Sequence, residues 1–209
     1  MEHIPIYKGM HVSLGVMMRE YIPLATPALN QLSITRGVLL RPPVSLEAEY
    51  EWFDKIKDRS DQLFAILKHE PENTYKYIGH TGLHRVSWPN ATATSGTVII
   101  DNGAHKKGFG TEAKLLLLYH GFMVTGLRIV DSSVKAFNGD SLGHLVKCGY
   151  KLIGRRKCRH FDNGTYIDEI LLEVFRSDFE KIWKTYKETE RLPSLTPEQR
   201  KIIALELAL

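Results

Sequence analysis

The stretch from Val98 to Ala113 reads VIIDNGAHKKGFGTEA, and it decides the fold more than any other part of the chain. An apolar run typical of a strand ends at residues 101–103, and Gly108 and Gly110 then open a segment typical of a helix. Unpaired backbone N–H groups at a helix start attract anions, and glycine lets a phosphate approach the backbone closely. The stretch therefore predicts a strand, an anion-binding loop and a helix; the alternative is a glycine-started helix without a ligand.

Two common phosphate-binding loops do not match this stretch. A P-loop continues with Lys and then Ser or Thr after its second glycine, whereas Gly110 is followed by Thr111 and Glu112. A dinucleotide-binding fingerprint needs a third glycine, which Ala113 could replace, but no acidic residue follows a paired parallel strand to hold a ribose. The loop is therefore expected to serve a different phosphate-bearing ligand.

The composition is that of one globular domain with a sizeable core. The 209 residues are 43% hydrophobic and 25% charged, which excludes intrinsic disorder for most of the chain. No apolar run reaches the length of a membrane span, and the N-terminal residues lack the pattern of a signal peptide. The two cysteines, Cys148 and Cys158, form no CxxC pair, so we expect neither a disulfide framework nor a zinc site. We expect a cytoplasmic location, where thiols stay reduced.

Hydrophobic periodicity predicts consecutive strands that no helix separates, which argues for an α+β fold with a mixed sheet. The predicted strands are 11–16, 62–68, 77–87, 93–100, 127–134, 150–158 and 166–174. The predicted helices are two short pieces within 19–32, then 45–57, 108–124, 140–148, 178–190 and one that begins at Thr196 with a capping box. Residues 33–44, between the first helices, are predicted to be an extended connection.

Three motifs, in order along the chain, resemble the GCN5-related N-acetyltransferases. Residues 107–113 resemble the acetyl-CoA loop, Gln/Arg-x-x-Gly-x-Gly/Ala. Residues 138–141 and 147–150 resemble Asn-x-x-Ala/Ser followed by Lys-x-Gly-Phe/Tyr. Gly154 with residues 163–168 resembles the Gly-x-Tyr-x-Asp hairpin of the branch that acetylates ribosomal proteins and spermidine. The resemblance covers about residues 12–174.

The resemblance implies a mixed, mostly antiparallel central sheet flanked by helices. We expect an acetyltransferase-like domain at residues 1–175 and a helical C-terminal extension at 176–209. The implied activity is transfer of an acetyl group from acetyl-CoA, as co-substrate, to a primary amine by direct attack. The acceptor stays open between a small-molecule amine, an amino sugar and a protein N-terminus; a polyamine would need an acidic cluster, and the dense candidates are Glu47, Glu49, Glu51 and Asp54.

The resemblance also implies which residues bind acetyl-CoA. The strand at 98–100 would separate from its neighbour, and the N–H of Ile99 or Ile100 would polarise the thioester carbonyl. Lys106 or Lys107 would reach the 3′-phosphate or remain solvated, and Asn138 would bind the cofactor arm or serve as a turn residue. The full set is Ile99, Ile100, His105, Lys106, Lys107, Gly108, Phe109, Gly110, Thr111, Asn138 and Ser141.

The chain departs from the family pattern at two positions. The family's Gln or Arg falls on His105, and the tyrosine that usually protonates the leaving thiolate falls on Leu145. We therefore expect Ser141 to protonate the thiolate and His160 to act as general base, because its ordinary pKa lies near neutrality. Other histidines near the site are alternatives for the base, namely His80, His84 and His105, while Tyr166 and Asp168 would orient the amine.

Two further interpretations compete with these predictions, and the contact made by the C-terminal helix is a separate question. The Leu145 departure and the apolar C-terminal helix suggest a non-catalytic CoA-binding or assembly protein that retained the fold. The basic run from Lys147 to Arg159 suggests nucleic acid, but no nucleic-acid-binding motif supports it, so we expect none. The C-terminal helix would form a homodimer contact or pack within its own chain.

Overall fold

The computed structural model describes residues 2–38, 43–56 and 60–209. The strands are β1 (Pro5–Lys8), β2 (Val12–Val16), β3 (Gln62–His69), β4 (Tyr75–Ser87), β5 (Thr92–Ile99), β6 (Ile129–Lys135), β7 (Lys151–Asp162) and β8 (Thr165–Phe175). The α-helices are α1 (Ile22–Leu29), α2 (Leu32–Thr35), α3 (Leu46–Ile56), α4 (Phe109–Tyr119), α5 (Gly139–Lys147), α6 (Arg176–Thr189) and α7 (Pro197–Ala208). The predicted α+β class is confirmed.

The eight strands form one mixed sheet in the order β1-β2-β3-β4-β5-β6-β8-β7. Every neighbouring pair is antiparallel except β5 and β6, which are parallel. These two strands pair only from Thr92 to Thr94, opposite residues 129–131, although β5 continues to Ile99. The sheet is therefore split in its middle, which confirms the separation that the family resemblance implies.

Each face of the sheet carries its own core, because side chains alternate along a strand. On β6, the buried side chains of Val130, Ser132 and Val134 share one face. That face packs on α4, which is buried along nearly its whole length, and on residues of α5, α6 and α7. The other face packs on α1 and α3 through a smaller cluster that includes Tyr21 and Tyr77. The two faces therefore offer two different surfaces at the split.

Three local features differ from the sequence-based predictions. Strand β1 was missed, since it has four residues, starts at Pro5 and pairs only with β2. Helix α2 lies in the segment predicted to be extended, and α1 runs through Pro27. Beyond Tyr119 the predicted helix continues as a π-helical turn, His120–Val124. The remainder of the predicted connection, 39–42, and residue 57 of the predicted helix lie outside the described residues.

The C-terminal extension packs on its own chain. Thr196 forms the predicted capping box with Gln199 at the start of α7, and Ile203 is buried in the main core. Ile202 and Leu205 remain exposed on the same helix. Within the described part of the chain, no helix combines the length and apolar character needed to cross a membrane.

Candidate active site

A cleft of about 460 Å³ opens where β5 and β6 separate. Its walls come from β5, the loop before α4, the first turns of α4 and α5, and α2 with the residues after it. Eight of the residues predicted to bind acetyl-CoA line it, together with Ser141, which has both predicted roles. These residues are Ile99, His105, Lys106, Gly108, Phe109, Gly110, Thr111, Asn138 and Ser141.

The loop before α4 has the backbone geometry of an anion site. Gly108 is the residue that precedes the helix, and its φ of +85° lies in the left-handed region that favours glycine. Among the residues that the structure describes, no side chain caps this helix start, so the N–H groups of its first turn lack a side-chain partner there. The loop is shaped at its other end by Asp101, whose side chain accepts a hydrogen bond of 2.8 Å from the Gly103 N–H. These unpaired N–H groups adjoin the cleft.

Basic side chains surround the mouth of this cleft. His105, Lys106 and Lys147 all line it, whereas Lys107 is exposed and is not among the lining residues. Lys106 Nζ lies 3.8 Å from Asp140 Oδ2 across the mouth, and both side chains are about 80% exposed. The sequence-based prediction missed Lys147, although it is the Lys of the quoted Lys-x-Gly-Tyr motif. The mouth therefore carries the positive charge that phosphate groups require.

The backbone of β5 offers one of the two predicted thioester donors. The Ile100 N–H donates a 2.9 Å hydrogen bond to Ile78 O on β4. Neighbouring residues of a strand direct their N–H groups to opposite sides, so the Ile99 N–H points away from β4. That direction leads into the gap that β6 leaves. Of the two predicted donors, the Ile100 N–H is thus bonded within the sheet, and the Ile99 N–H is the one directed toward the gap; its contact with a thioester stays a prediction.

Asn138 organises the far wall of the cleft. Its side-chain oxygen accepts a 3.1 Å hydrogen bond from the Ser141 N–H and so caps α5. Its amide nitrogen donates to Gly37 O at 3.3 Å, and Arg36 pairs with Asp162 at 2.7 Å. These bonds hold the segment after α2 across the cleft. The turn role of Asn138 is thus confirmed by geometry, while its binding of a cofactor arm stays a prediction.

His144 is a site residue that the sequence analysis missed. Leu145, at the family's tyrosine position, is buried in the core, whereas its neighbour His144 lines the cleft. The His144 Nε2 atom is buried and has no hydrogen-bond partner among the described residues. Burial, reinforced by the charges of Lys114 and Lys147, lowers the pKa of His144 to about 3. His144 therefore lines this cleft as a neutral imidazole whose Nε2 atom is covered by neighbouring atoms.

A second pocket, of about 270 Å³, lies on the other face of β5. Its wall is mostly apolar, with three polar side chains that can ionise. The apolar part is Leu29, Val38, Trp52, Leu63 and Val98, and the ionisable part is Glu49, His80 and His84. Thr97, Val98 and Val38 line both this pocket and the first cleft. The two cavities therefore meet at the unpaired end of β5.

Glu49 is the acidic group of the second pocket. Its side chain is buried, whereas Glu47 and Glu51 are exposed on the same helix and Asp54 pairs with Arg19. No described residue donates a hydrogen bond to the Glu49 carboxylate, and burial raises its pKa. Of the four acids considered as a polyamine cluster, only Glu49 thus faces this pocket. The apolar residues Trp52 and Phe53 at three and four positions further along the helix were the available sequence signal.

Two histidines stand beside Glu49 in this pocket. His80 Nδ1 lies 3.0 Å from the hydroxyl of Tyr77, and burial lowers the pKa of His80 to about 4. When Nδ1 carries the proton and donates it to the Tyr77 oxygen, Nε2 keeps its lone pair free. His84 Nδ1 lies 3.4 Å from Asp61. The pocket therefore combines proton acceptors with an apolar wall.

The remaining predicted residues lie on the hairpin of β7 and β8. His160 Nε2 is 3.5 Å from Glu169 Oε1, and His160 lines neither cavity. Asp168 pairs with Arg155 at 2.7 Å, which lowers its pKa strongly, and Tyr166 is exposed. The structure thus does not bring these three residues together with the cleft residues.

The basic run from Lys147 to Arg159, which begins at the end of α5 and continues along β7, is largely neutralised by neighbouring acids. Four of its six Lys and Arg residues form ion pairs with residues of β8 and α6, and a fifth, Lys147, lines the cleft. Such pairing is typical of a sheet edge and leaves little free positive charge for a polyanion. The pairs are Lys151–Asp178, Arg155–Asp168, Arg156–Glu169 and Lys157–Asp168.

Comparisons with known proteins identify the family and the fold. Residues 20–151 match the family model of the acetyltransferase (GNAT) domain. A spermidine N-acetyltransferase from Vibrio cholerae, solved with CoA and spermine, is 19% identical with a TM-score of 0.75, over 81% of this chain and 98% of its own. A chimera of the Vibrio cholerae enzyme and hSSAT is 18% identical with a TM-score of 0.71, over 82% and 99%. No curated protein matches the chain by sequence.

Proposed function

This chain belongs to the GNAT acetyltransferase family, and we propose that it acetylates a primary amine carried on an aliphatic chain, as in a polyamine. The observation that carries the proposal is the meeting of two cavities at Thr97 and Val98, one glycine-lined and basic, the other apolar with a buried carboxylate. A thioester and an amine can reach the same strand end from opposite faces. The spermine in the Vibrio cholerae structure supports the acceptor class.

Acetyl-CoA is the co-substrate of the family, and the residues of the first cleft fit it. Gly108 before α4 and Gly110 in its first turn would admit a pyrophosphate to the N–H groups of that turn, and Lys106 and Lys147 offer positive charge beside it. When bound, acetyl-CoA supplies an activated acetyl group at the split between the strands.

The acceptor pocket is proposed to bind the amine and take its proton. A protonated amine would pair with Glu49, while its carbon chain packs on Trp52 and Leu63. The raised pKa of Glu49 helps it accept the ammonium proton, directly or through water, which leaves a neutral nucleophile. His80 is the alternative acceptor; its low pKa makes it the weaker base.

In the transfer step, two further groups would act on the thioester: the Ile99 N–H on its carbonyl oxygen and Ser141 on its sulfur. The new C–N bond forms as the C–S bond breaks, and the Ile99 N–H would stabilise the negative charge that develops on the carbonyl oxygen. The leaving thiolate would take a proton from Ser141, which lines the cleft and recovers its proton from solvent. His160 as general base, although it lines neither cavity, stays an untested prediction.

The test is an acetyl-transfer assay with thiol detection on Glu49→Gln. With spermidine as acceptor, we expect this variant to raise the amine KM about tenfold or more, because the neutral amide loses the charge that pairs with an ammonium. The KM for acetyl-CoA should stay within twofold. Glu47→Gln is the matched control, since Glu47 is exposed two residues away on α3, and it should behave as wild type.

The acceptor panel should include an amino sugar and a peptide with a free N-terminus. If only these two acceptors are acetylated, and Glu49→Gln leaves their KM unchanged, the proposal of a polyamine-like acceptor is contradicted. No thiol release with any amine would contradict acetyl transfer by this chain. The dependence of kcat/KM on pH, measured in His80→Gln and in His160→Gln, decides whether either histidine acts as a general base. Loss of such a base removes the limb of the kcat/KM profile that its titration produces.

The oligomeric state and the cellular location remain predictions from the sequence. A homodimer through the exposed apolar residues of α7, such as Leu205, would appear as a doubled mass in sedimentation equilibrium. A cytoplasmic location agrees with Cys148 and Cys158 both being free thiols, and it would be tested by fractionation of the cells that make the protein.

A further inference from the structure

The C-terminal extension packs against three glycines, one of which, Gly108, lines the first cleft. A Cβ atom on Gly108 would lie 2.5 Å from Leu192 Cδ1. A Cβ on Gly139 would lie 2.9 Å from Leu207 Cδ1, and one on Gly143 would lie 3.7 Å from Leu195 Cδ1. Gly108 precedes α4 and the other two belong to α5. Leucines of the extension therefore fill the space beside the two helices whose first turns line the cleft.

The contact at Gly108 is the tightest of the three, and it lies directly behind the anion loop. Gly108 lines the cleft, and its carbonyl accepts the first hydrogen bond of α4, 3.0 Å from the Glu112 N–H. Leu192 packs against the main core and occupies the volume that any larger residue at 108 would need. The position of the loop thus depends on an apolar side chain that arrives 84 residues later in the sequence.

The segment that carries Leu192 is anchored on both sides. Before it, the hydroxyl of Tyr186 on α6 donates a 2.6 Å hydrogen bond to Glu112 Oε1 in the first turn of α4. After it, Arg155 Nη1 on β7 donates to the backbone oxygen of Glu206 at 2.7 Å. With both flanking helices tied to the domain, Leu192 has a fixed place against the loop.

We propose that Leu192 is a positioning residue for pyrophosphate binding, acting through Gly108 without touching the co-substrate. The proposal rests on the proposed use of acetyl-CoA. A loop that moves away from Leu192 misaligns the N–H groups that face the pyrophosphate, and misplacement by a fraction of an ångström weakens such bonds. The thioester end of the co-substrate, held by β5, does not depend on this contact.

The test compares Leu192→Ala with wild type on two acetyl donors, acetyl-CoA and S-acetylpantetheine, which lacks the pyrophosphate. With acetyl-CoA we expect kcat/KM to fall about tenfold, mainly through KM. With S-acetylpantetheine we expect a change within twofold. A variant that is merely less stable would lose activity with both donors alike, and that result would overturn the proposal, as would no change with either.

Two further variants and one binding measurement complete the design. Leu192→Met keeps apolar volume beside Gly108 and should restore the acetyl-CoA activity, whereas Leu205→Ala, at a leucine of the same extension that is 68% exposed, should match wild type. Calorimetry with CoA should show a Kd about tenfold weaker in Leu192→Ala. If wild type binds CoA but transfers no acetyl group, the proposed function fails and this Kd still decides the role of Leu192; wild type that does not bind CoA overturns both.

Discussion

Glu112, in the first turn of α4, is expected to support the fold strongly through its buried carboxylate. Its side chain has no exposed surface and accepts four hydrogen bonds, two from the turn before β2, one from the first residue of β2 and one from Tyr186 on α6. The bonds to Oε1 come from the Met10 N–H and the Tyr186 hydroxyl, both at 2.6 Å, and those to Oε2 from the His11 and Val12 N–H groups, at 3.0 and 3.1 Å. The perturbation is Glu112→Gln.

The geometry gives the size of the effect. Glutamine replaces one acceptor oxygen by an NH₂ group, which then faces two donors. The Tyr186 hydroxyl can turn and accept, but the backbone N–H groups cannot, so one or two bonds to a charged acceptor are lost at about 1.5–3 kcal/mol each. Removing a buried charge recovers part of its desolvation cost. We therefore expect the free energy of unfolding to fall by about 3 kcal/mol, and Tm by about 6–12 °C for a chain of this length.

Urea denaturation and thermal melting measure this prediction directly. Glu188→Gln is the control, because Glu188 is exposed on α6 in a 3.8 Å pair with Lys184, and it should change the free energy by less than about 0.5 kcal/mol. Tyr186→Phe removes a single donor and should cost about 1–2 kcal/mol. If Glu112→Gln falls within 1 kcal/mol of the control, the four bonds do not support α4 as argued.

Two other expectations concern titration and thiol chemistry. Burial lowers the pKa of His80 to about 4 and that of His144 to about 3, whereas the ordinary value is 6.5. As the pH falls below about 6.5, the unfolded chain therefore binds more protons than the folded chain. The free energy of unfolding should then fall by up to about 1.4 kcal/mol for each unit of pH decrease and each histidine. Urea titrations at several pH values measure this dependence, and His144→Gln should make it shallower than in wild type. The same dependence on pH in the variant would contradict the prediction. Cys158 is exposed whereas Cys148 is buried with its pKa raised to about 12, so DTNB should label one thiol rapidly in the native chain and two in urea; rapid labelling of both would contradict the burial.

The elements that the sequence predicts well are those whose signals are local. The glycines before α4 and the capping box at Thr196 lie within a few residues of the helices that they start. Strand β1 has no such signal, since its four residues form a strand only because β2 lies beside them. Helix α2 is likewise short, and its place depends on Arg36 and Gly37, which contact the far side of the cleft. Contacts across the chain, rather than propensity, fix these two elements.

The first cavity could be predicted from the sequence and the second could not, for a similar reason. The co-substrate cleft is built mainly from two short stretches, around Gly108 and Asn138, whose motifs are continuous in sequence. The pocket that contains Glu49 takes one to three residues from each of five elements, and no spacing rule connects residues such as Glu49 and His80. Four acids on α3 had equal standing in the sequence. Only the packing of α3 on the sheet turns Glu49 inward and leaves its neighbours in solvent.

Gly108 shows why a glycine alone does not establish a ligand. The residue needs its left-handed φ to start α4, and the space that its absent Cβ leaves is filled by Leu192. A substitution such as Gly108→Ala would disturb the backbone, the leucine contact and the anion site together, so its loss of activity would not separate them. Leu192→Ala removes the contact behind the loop, together with the packing of Leu192 on the core, without altering a residue of the loop itself. The partner of the glycine, and not the glycine itself, is therefore the residue whose substitution distinguishes packing from ligand binding.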